Sequence, residues 1–240
     1  MGETKVGKMI ELSAGDGHKL GAYRADPKGK PRGGLIVVQE IFGVNSHIKS
    51  VADGYAADGY LAIAPAFFDR VERGLDIGYT QPDIERGRAF IPKMQWDTVI
   101  QDAGAALANV KPAGKTGIVG YCWGGTVSWM SASRLAGLSA AVTYYGVLRD
   151  PKPDFSKLKG PVLGHFGSAD EFVPVEAVKQ LEAEMRAAGA DVTFHLCEGA
   201  THAFFNDLDR PERVGVHDAE AAELSWQRTV SFLRSALASG

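Results

Sequence analysis

Gly117-Ile118-Val119-Gly120-Tyr121-Cys122-Trp123-Gly124-Gly125 is the stretch whose reading decides the fold. Residues 117–120 are a short apolar run suited to a strand, and residues 123–136 suit a helix. A cysteine therefore sits at a strand–turn–helix junction, with glycine two places before it and two places after. A residue held in so sharp a turn needs neighbours without Cβ, because the incoming strand and outgoing helix pass close to one another. Its side chain then projects past the end of the strand, where the helix N-terminus aims its N–H groups. That partial positive charge favours a thiolate at Cys122, and the N–H of Trp123 lies where an oxyanion would form.

Outward from this turn, apolar strand-like runs alternate with helical stripes. Residues 35–38, 61–64, 140–145, 162–166 and 192–196 read as further strands. Asn45 is placed to cap a helix ending near Gly59. Trp96, Ile100, Ala103, Leu107 and Val110 form a helical stripe, as do Val175, Val178, Leu181 and Met185, the latter closed by Gly189. Ala219, Ala222, Trp226, Val230, Leu233 and Leu237 form a last one. Residues 5–11 and 18–24 flank the turn Ala14-Gly15-Asp16-Gly17 and read as an antiparallel hairpin. The expectation is a single α/β domain over 1–240, with a mostly parallel central sheet, helices on both faces and an N-terminal antiparallel hairpin. Ligands of such sheets bind beyond the carboxyl ends of the strands.

A nucleophile needs a base, and the base needs an orienting group. His18, His47, His165, His195 and His217 fall within or beside predicted elements. His202 instead lies in Glu198-Gly199-Ala200-Thr201-His202, a glycine-bearing loop directly after the last strand. Asp170 stands likewise after the strand 162–166, in Gly167-Ser168-Ala169-Asp170. The chain order is Cys122, Asp170, His202: nucleophile, acid, histidine, the order expected of α/β-hydrolases. Cys197, beside a strand and without a turn of this kind, reads as structural.

Composition excludes several other classes. The 240 residues carry 26 basic and 29 acidic side chains, a net charge of −3, with no basic block to attract nucleic acid. No apolar run is long enough to span a membrane. Two cysteines and an N-terminus without an apolar leader read as a cytoplasmic chain with free thiols. Residues 109–116 end like a phosphate-binding loop but lack its first glycine and precede a strand. No zinc-type spacing of His and Cys occurs, so neither metal nor cofactor is expected.

These residues resemble the dienelactone hydrolases (carboxymethylenebutenolidases), a cysteine branch of the α/β-hydrolases. The resemblance rests on Gln39-Glu40-Ile41-Phe42-Gly43-Val44-Asn45, Gly120 to Gly125, Tyr144-Tyr145-Gly146-Val147, Asp170 with Val173-Pro174, and Gly199-Ala200-Thr201-His202. It implies Cys122 as nucleophile, His202 as base and Asp170 as its orienter, with the N–H groups of Ile41 and Trp123 as the oxyanion hole. It also implies that Glu40 faces the nucleophile and helps to set the ionisation of the thiol. The family holds its substrate's carboxylate with arginines, one of them four residues after the histidine, and here that position is Asn206. Either Arg86 or Arg88 matches a second arginine, while Phe204, Phe205 and Trp123 suggest an apolar pocket. The function expected is hydrolysis of a small carboxylic ester or enol-lactone through a thioester acyl-enzyme, by a monomer or weak homodimer without cofactor. An acyltransferase, or a non-catalytic binding protein on the same scaffold, is the alternative.

Overall fold

The structure is a computed structural model describing residues 7–147, 152–208 and 215–238. Its eight strands are β1 (Lys8–Ser13), β2 (Lys19–Ala25), β3 (Gly34–Val38), β4 (Leu61–Pro65), β5 (Thr116–Tyr121), β6 (Leu138–Tyr144), β7 (Val162–Gly167) and β8 (Val192–Cys197). Six α-helices accompany them among the described residues: α1 (Ser46–Ala57), α2 (Gln81–Phe90), α3 (Trp96–Val110), α4 (Trp123–Arg134), α5 (Val175–Ala187) and α6 (Ala219–Ala236). All eight strands form one sheet in the order β1-β2-β4-β3-β5-β6-β7-β8. The β1/β2 and β2/β4 pairs are antiparallel, and every pair from β4 to β8 is parallel.

Alternation along the central strands divides the core. Ile36, Val38 and Ile118 point to one side, beneath α2, α3, α4 and α5. Leu35, Val37, Val119 and Tyr121 point to the other, beneath α1 and α6. With both faces covered, β3, β4 and β5 are buried throughout, which is why they read as unbroken apolar runs.

The expected hairpin forms, shifted towards the turn. Tight bonds from Ala14 N–H to the His18 carbonyl (2.9 Å) and from Gly17 N–H to the Ala14 carbonyl (2.9 Å) close that turn. Ser13 then pairs with Lys19, and the ladder runs out to Lys8 opposite Arg24, so β1 occupies 8–13 rather than 5–11; residues 5 and 6 lie outside the described residues. The turn is tied to the body by Arg70, which forks onto Asp102 of α3 (both contacts 2.7 Å) and reaches Asp16 (2.9 Å). Helix α4 stops at Arg134, two residues short of expectation, because Leu135 turns to extended geometry.

Helix α2 occupies a stretch to which the sequence pattern assigned no element. A reciprocal cap between Thr80 and Asp83, with Pro82 in the first turn, starts it. Gly87 allows α2 to lie directly on the Ile41 backbone, since a Cβ there would strike the Ile41 carbonyl.

Candidate active site

Three loops at the carboxyl ends of β5, β7 and β8 build the site. At the end of β5, Cys122 takes φ 55° and ψ −117°, a conformation that costs a non-glycine residue about 1–3 kcal/mol. Its surroundings hold it there. Cys122 N–H donates to the Tyr144 carbonyl at 3.0 Å, and its own carbonyl accepts from Gly125 N–H at 2.9 Å. A Cβ on Gly120 would collide with the Gly124 carbonyl, and one on Gly124 would lie 2.5 Å from the carbonyl oxygens of Val38 and Gln39. The glycines are thus demanded by backbone packing around the cysteine.

The β7 and β8 loops are fastened to each other. Ser168 N–H donates to the Cys197 carbonyl (2.9 Å), Ala169 N–H to the Ala200 carbonyl (3.0 Å), and Gly199 N–H to Ser168 Oγ (2.8 Å). Asp170 and His202 are carried by these joined loops. His202 Nδ1 lies 2.8 Å from Asp170 Oδ2, and His202 Nε2 lies 3.2 Å from Cys122 Sγ. Asp170 Oδ1 meanwhile accepts from the N–H groups of Phe172 (2.8 Å) and Val173 (3.1 Å), which fixes the carboxylate. The imidazole is flanked by Tyr145 and Phe172, each with ring centroids 5.1 Å away. Burial works against charge on that ring, but the adjacent Cys122 sulfur and the Asp170 carboxylate outweigh it and push the His202 pKa up to about 10. A sulfur, an imidazole and a carboxylate in this line can hold the proton on His202 and leave the sulfur nucleophilic.

A cavity of about 380 Å³ opens over the sulfur. Ile41 and Trp123 line it, as expected of oxyanion donors. Trp123 begins α4, where N–H groups have no partner within the helix, and Ile41 N–H donates to no group among the described residues. Glu40 also lines the cavity and is 2% exposed. Asn206 is fully buried, donating to Glu40 Oε2 (2.9 Å) and to the Tyr79 hydroxyl (2.8 Å) while its Oδ1 accepts from Leu208 N–H (3.0 Å).

The two candidate arginines separate. Arg86 points out of the site and pairs with Glu72. Arg88 lies at the mouth of the cavity, over the Phe172 ring (5.6 Å to the centroid). Phe204 is fully buried against Tyr144 and Tyr145 and does not line the cavity. Phe205 packs on Tyr121 and Trp226, on the α6 side. Trp123 is the one of the three expected aromatics that reaches the cavity wall. Sequence reasoning missed Tyr79 and Phe172. Phe172 stands two residues beyond Asp170, where a loop residue at a strand's carboxyl end invited notice; Tyr79, in a stretch without assigned elements, gave no such signal. Among the described residues, no three His, Cys, Asp or Glu side chains gather as metal ligands.

Parallel strands wound in this order, with a tight turn after β5 bearing the candidate nucleophile, define an α/β-hydrolase. Residues 20–237 match the model of the dienelactone hydrolase family, and the chain belongs to that family of hydrolases. A protein of Methylorubrum extorquens, provisionally named carboxymethylenebutenolidase, is 36% identical over 228 residues, 89% of this chain and 76% of that one. Another provisionally so named, from Azospirillum brasilense, is 35% identical over 237 residues, 95% of this chain and 98% of its own length. Among solved structures, a provisionally named dienelactone hydrolase of Klebsiella pneumoniae superposes with a TM-score of 0.80 at 30% identity, covering 94% of this chain and 98% of the other. No described helix is long and apolar enough to cross a membrane.

Proposed function

We propose that the chain hydrolyses small carboxylic esters or enol-lactones, as the names of its relatives suggest, with Cys122 as nucleophile, His202 as acid–base and Asp170 as its orienter. The observation that carries this reading is the unbroken line from Cys122 Sγ through both nitrogens of His202 to Asp170 Oδ2.

In this mechanism the Cys122 thiolate adds to the carbonyl carbon and forms a C–S bond, while the carbonyl electron pair moves onto oxygen. The N–H groups of Ile41 and Trp123 receive that oxyanion. The pair returns, the bond to the leaving oxygen breaks, and the His202 imidazolium gives that oxygen its proton. Water then attacks the thioester, passing a proton to His202. The C–S bond breaks, releasing the carboxylic acid and restoring the thiolate–imidazolium pair. Enolate and phenolate leaving groups suit this nucleophile better than alkoxides, because they compete more closely with re-expulsion of the thiolate and the imidazolium proton assists their departure. Arg88 lines the cavity mouth and has no ion-pair partner among the described residues, which favours it over Arg86 as the residue holding a negatively charged substrate group there.

Cys122→Ala should abolish turnover of p-nitrophenyl acetate while leaving the circular dichroism spectrum and melting temperature close to those of the parent. Retained turnover would sink the assignment. Product analysis with added alcohols or thiols separates a hydrolase from an acyltransferase, and a protein that binds esters without turnover would be the binding module.

A further inference from the structure

The inner wall of the cavity holds a carboxyl group with spare capacity. Glu40 is 2% exposed, yet it forms no ion pair among the described residues, and its side chain makes a single hydrogen bond, from Asn206 to Oε2. Among the described residues Oε1 has no partner, and the residue faces the cavity. Asn206 cannot be redirected to a ligand cheaply. Both of its amide protons are used, one on Glu40 and one on Tyr79, and Tyr79 is itself held by Asn45 Nδ2 at 2.9 Å. The cations sit elsewhere: Arg88 is exposed at the mouth, and His202 is engaged by Asp170 and Cys122.

A buried carboxylate answered by one neutral amide gains from another hydrogen-bond donor and repels another anion, both effects being magnified where apolar side chains make up much of the wall. We propose that Glu40 Oε1 is a specificity-determining acceptor for a hydroxyl on the substrate's acyl chain, so that the inner wall selects hydroxylated acyl groups and rejects carboxylated ones. The acyl side is the part concerned because Ile41, the proposed oxyanion donor, directly follows Glu40 and places the carbonyl carbon beside that carboxylate. This specificity rests on the hydrolase reading above, and Asn206 acts in it as a positioning residue that holds Glu40 in place without neutralising it.

The test compares kcat/KM for the p-nitrophenyl esters of butyric, 3-hydroxybutyric and glutaric acids, with the buffer rate subtracted. The native enzyme should prefer the 3-hydroxybutyrate to the butyrate by about ten-fold or more, the range of one hydrogen bond to a charged acceptor, and should use the glutarate least. In Glu40→Gln, whatever its absolute rate, both ratios should collapse towards unity. A native enzyme that takes the glutarate as well as the 3-hydroxybutyrate overturns the proposal alone, as does an order of preference that survives Glu40→Gln. Absence of turnover with all three esters would overturn the hydrolase reading, and the proposal with it.

Discussion

Asp170 divides its two carboxylate oxygens between His202 and its own loop: Oδ2 holds the imidazole at 2.8 Å, while Oδ1 takes the N–H groups of Phe172 and Val173. One side chain therefore contacts both the imidazole and the loop that frames it, fixing the ring's orientation and the loop's shape together. Asp170→Asn should lower kcat/KM for p-nitrophenyl acetate by about 10³–10⁴-fold, by analogy with the same loss in serine triads. The amide can still accept from the loop through its oxygen, so the urea midpoint should move little. A fall in rate matched by a large fall in stability would point to loop collapse instead.

The raised pKa of His202 has a signed kinetic consequence. The imidazolium persists up to about pH 10 and is lost above it, taking with it the acid proposed to protonate the leaving oxygen. With an alkyl ester, whose leaving group needs that proton, kcat/KM should fall about ten-fold per pH unit above pH 10. A p-nitrophenyl ester, which leaves unprotonated, should not show this limb. Paired pH profiles check it, and an identical limb for both esters would contradict the assigned role.

Backbone crowding at the turn after β5 predicts a severe effect from the smallest side chain. Gly120→Ala places a methyl group against the Gly124 carbonyl, and neither backbone can retreat without moving β5 or α4. A loss of about 3 kcal/mol is expected, at the upper end of what overpacked core sites show. Denaturant titration measures it; a change below 1 kcal/mol would show that the junction is looser than described.

A buried histidine away from the site governs acid stability. His165 in β7 is fully buried, with Nε2 3.0 Å from Thr229 Oγ1, and burial holds its pKa well below the usual 6.5. The folded state refuses a proton that the unfolded chain accepts, so this contribution is complete above pH 6.5 and is lost as pH falls towards the depressed folded value. Between pH 7.5 and 5.5 it amounts to about 1.4 kcal/mol. Urea titrations at the two pH values should show a smaller drop for His165→Gln than for the parent protein.

Some of this molecule was legible in its sequence because the information is local. Cys122, Asp170 and His202 each follow directly on a strand, and β3, β4 and β5 announce themselves as unbroken apolar runs since both sheet faces are covered. Helix α2 was hidden because Pro82, Gly87 and four charged residues within 81–90 leave little apolar period; its position comes from a cap and from contact with Ile41. The partnership of Asn206 with Glu40 spans 166 residues, and that with Tyr79 spans 127, so no spacing rule could reveal either. Phe204 and Arg86 fail to reach the cavity for a related reason: a residue number near the site does not say which way the side chain turns.

The bare Gly87 backbone against the Ile41 carbonyl also bears on how this enzyme could be altered. Arg88, at the cavity mouth, is the very next residue. The helix that would grip one end of the substrate is thus seated on the peptide that would stabilise its transition state. Efforts to retune selectivity by repacking α2 will shift the catalytic amide along with the grip, so selectivity and turnover should evolve together at this helix.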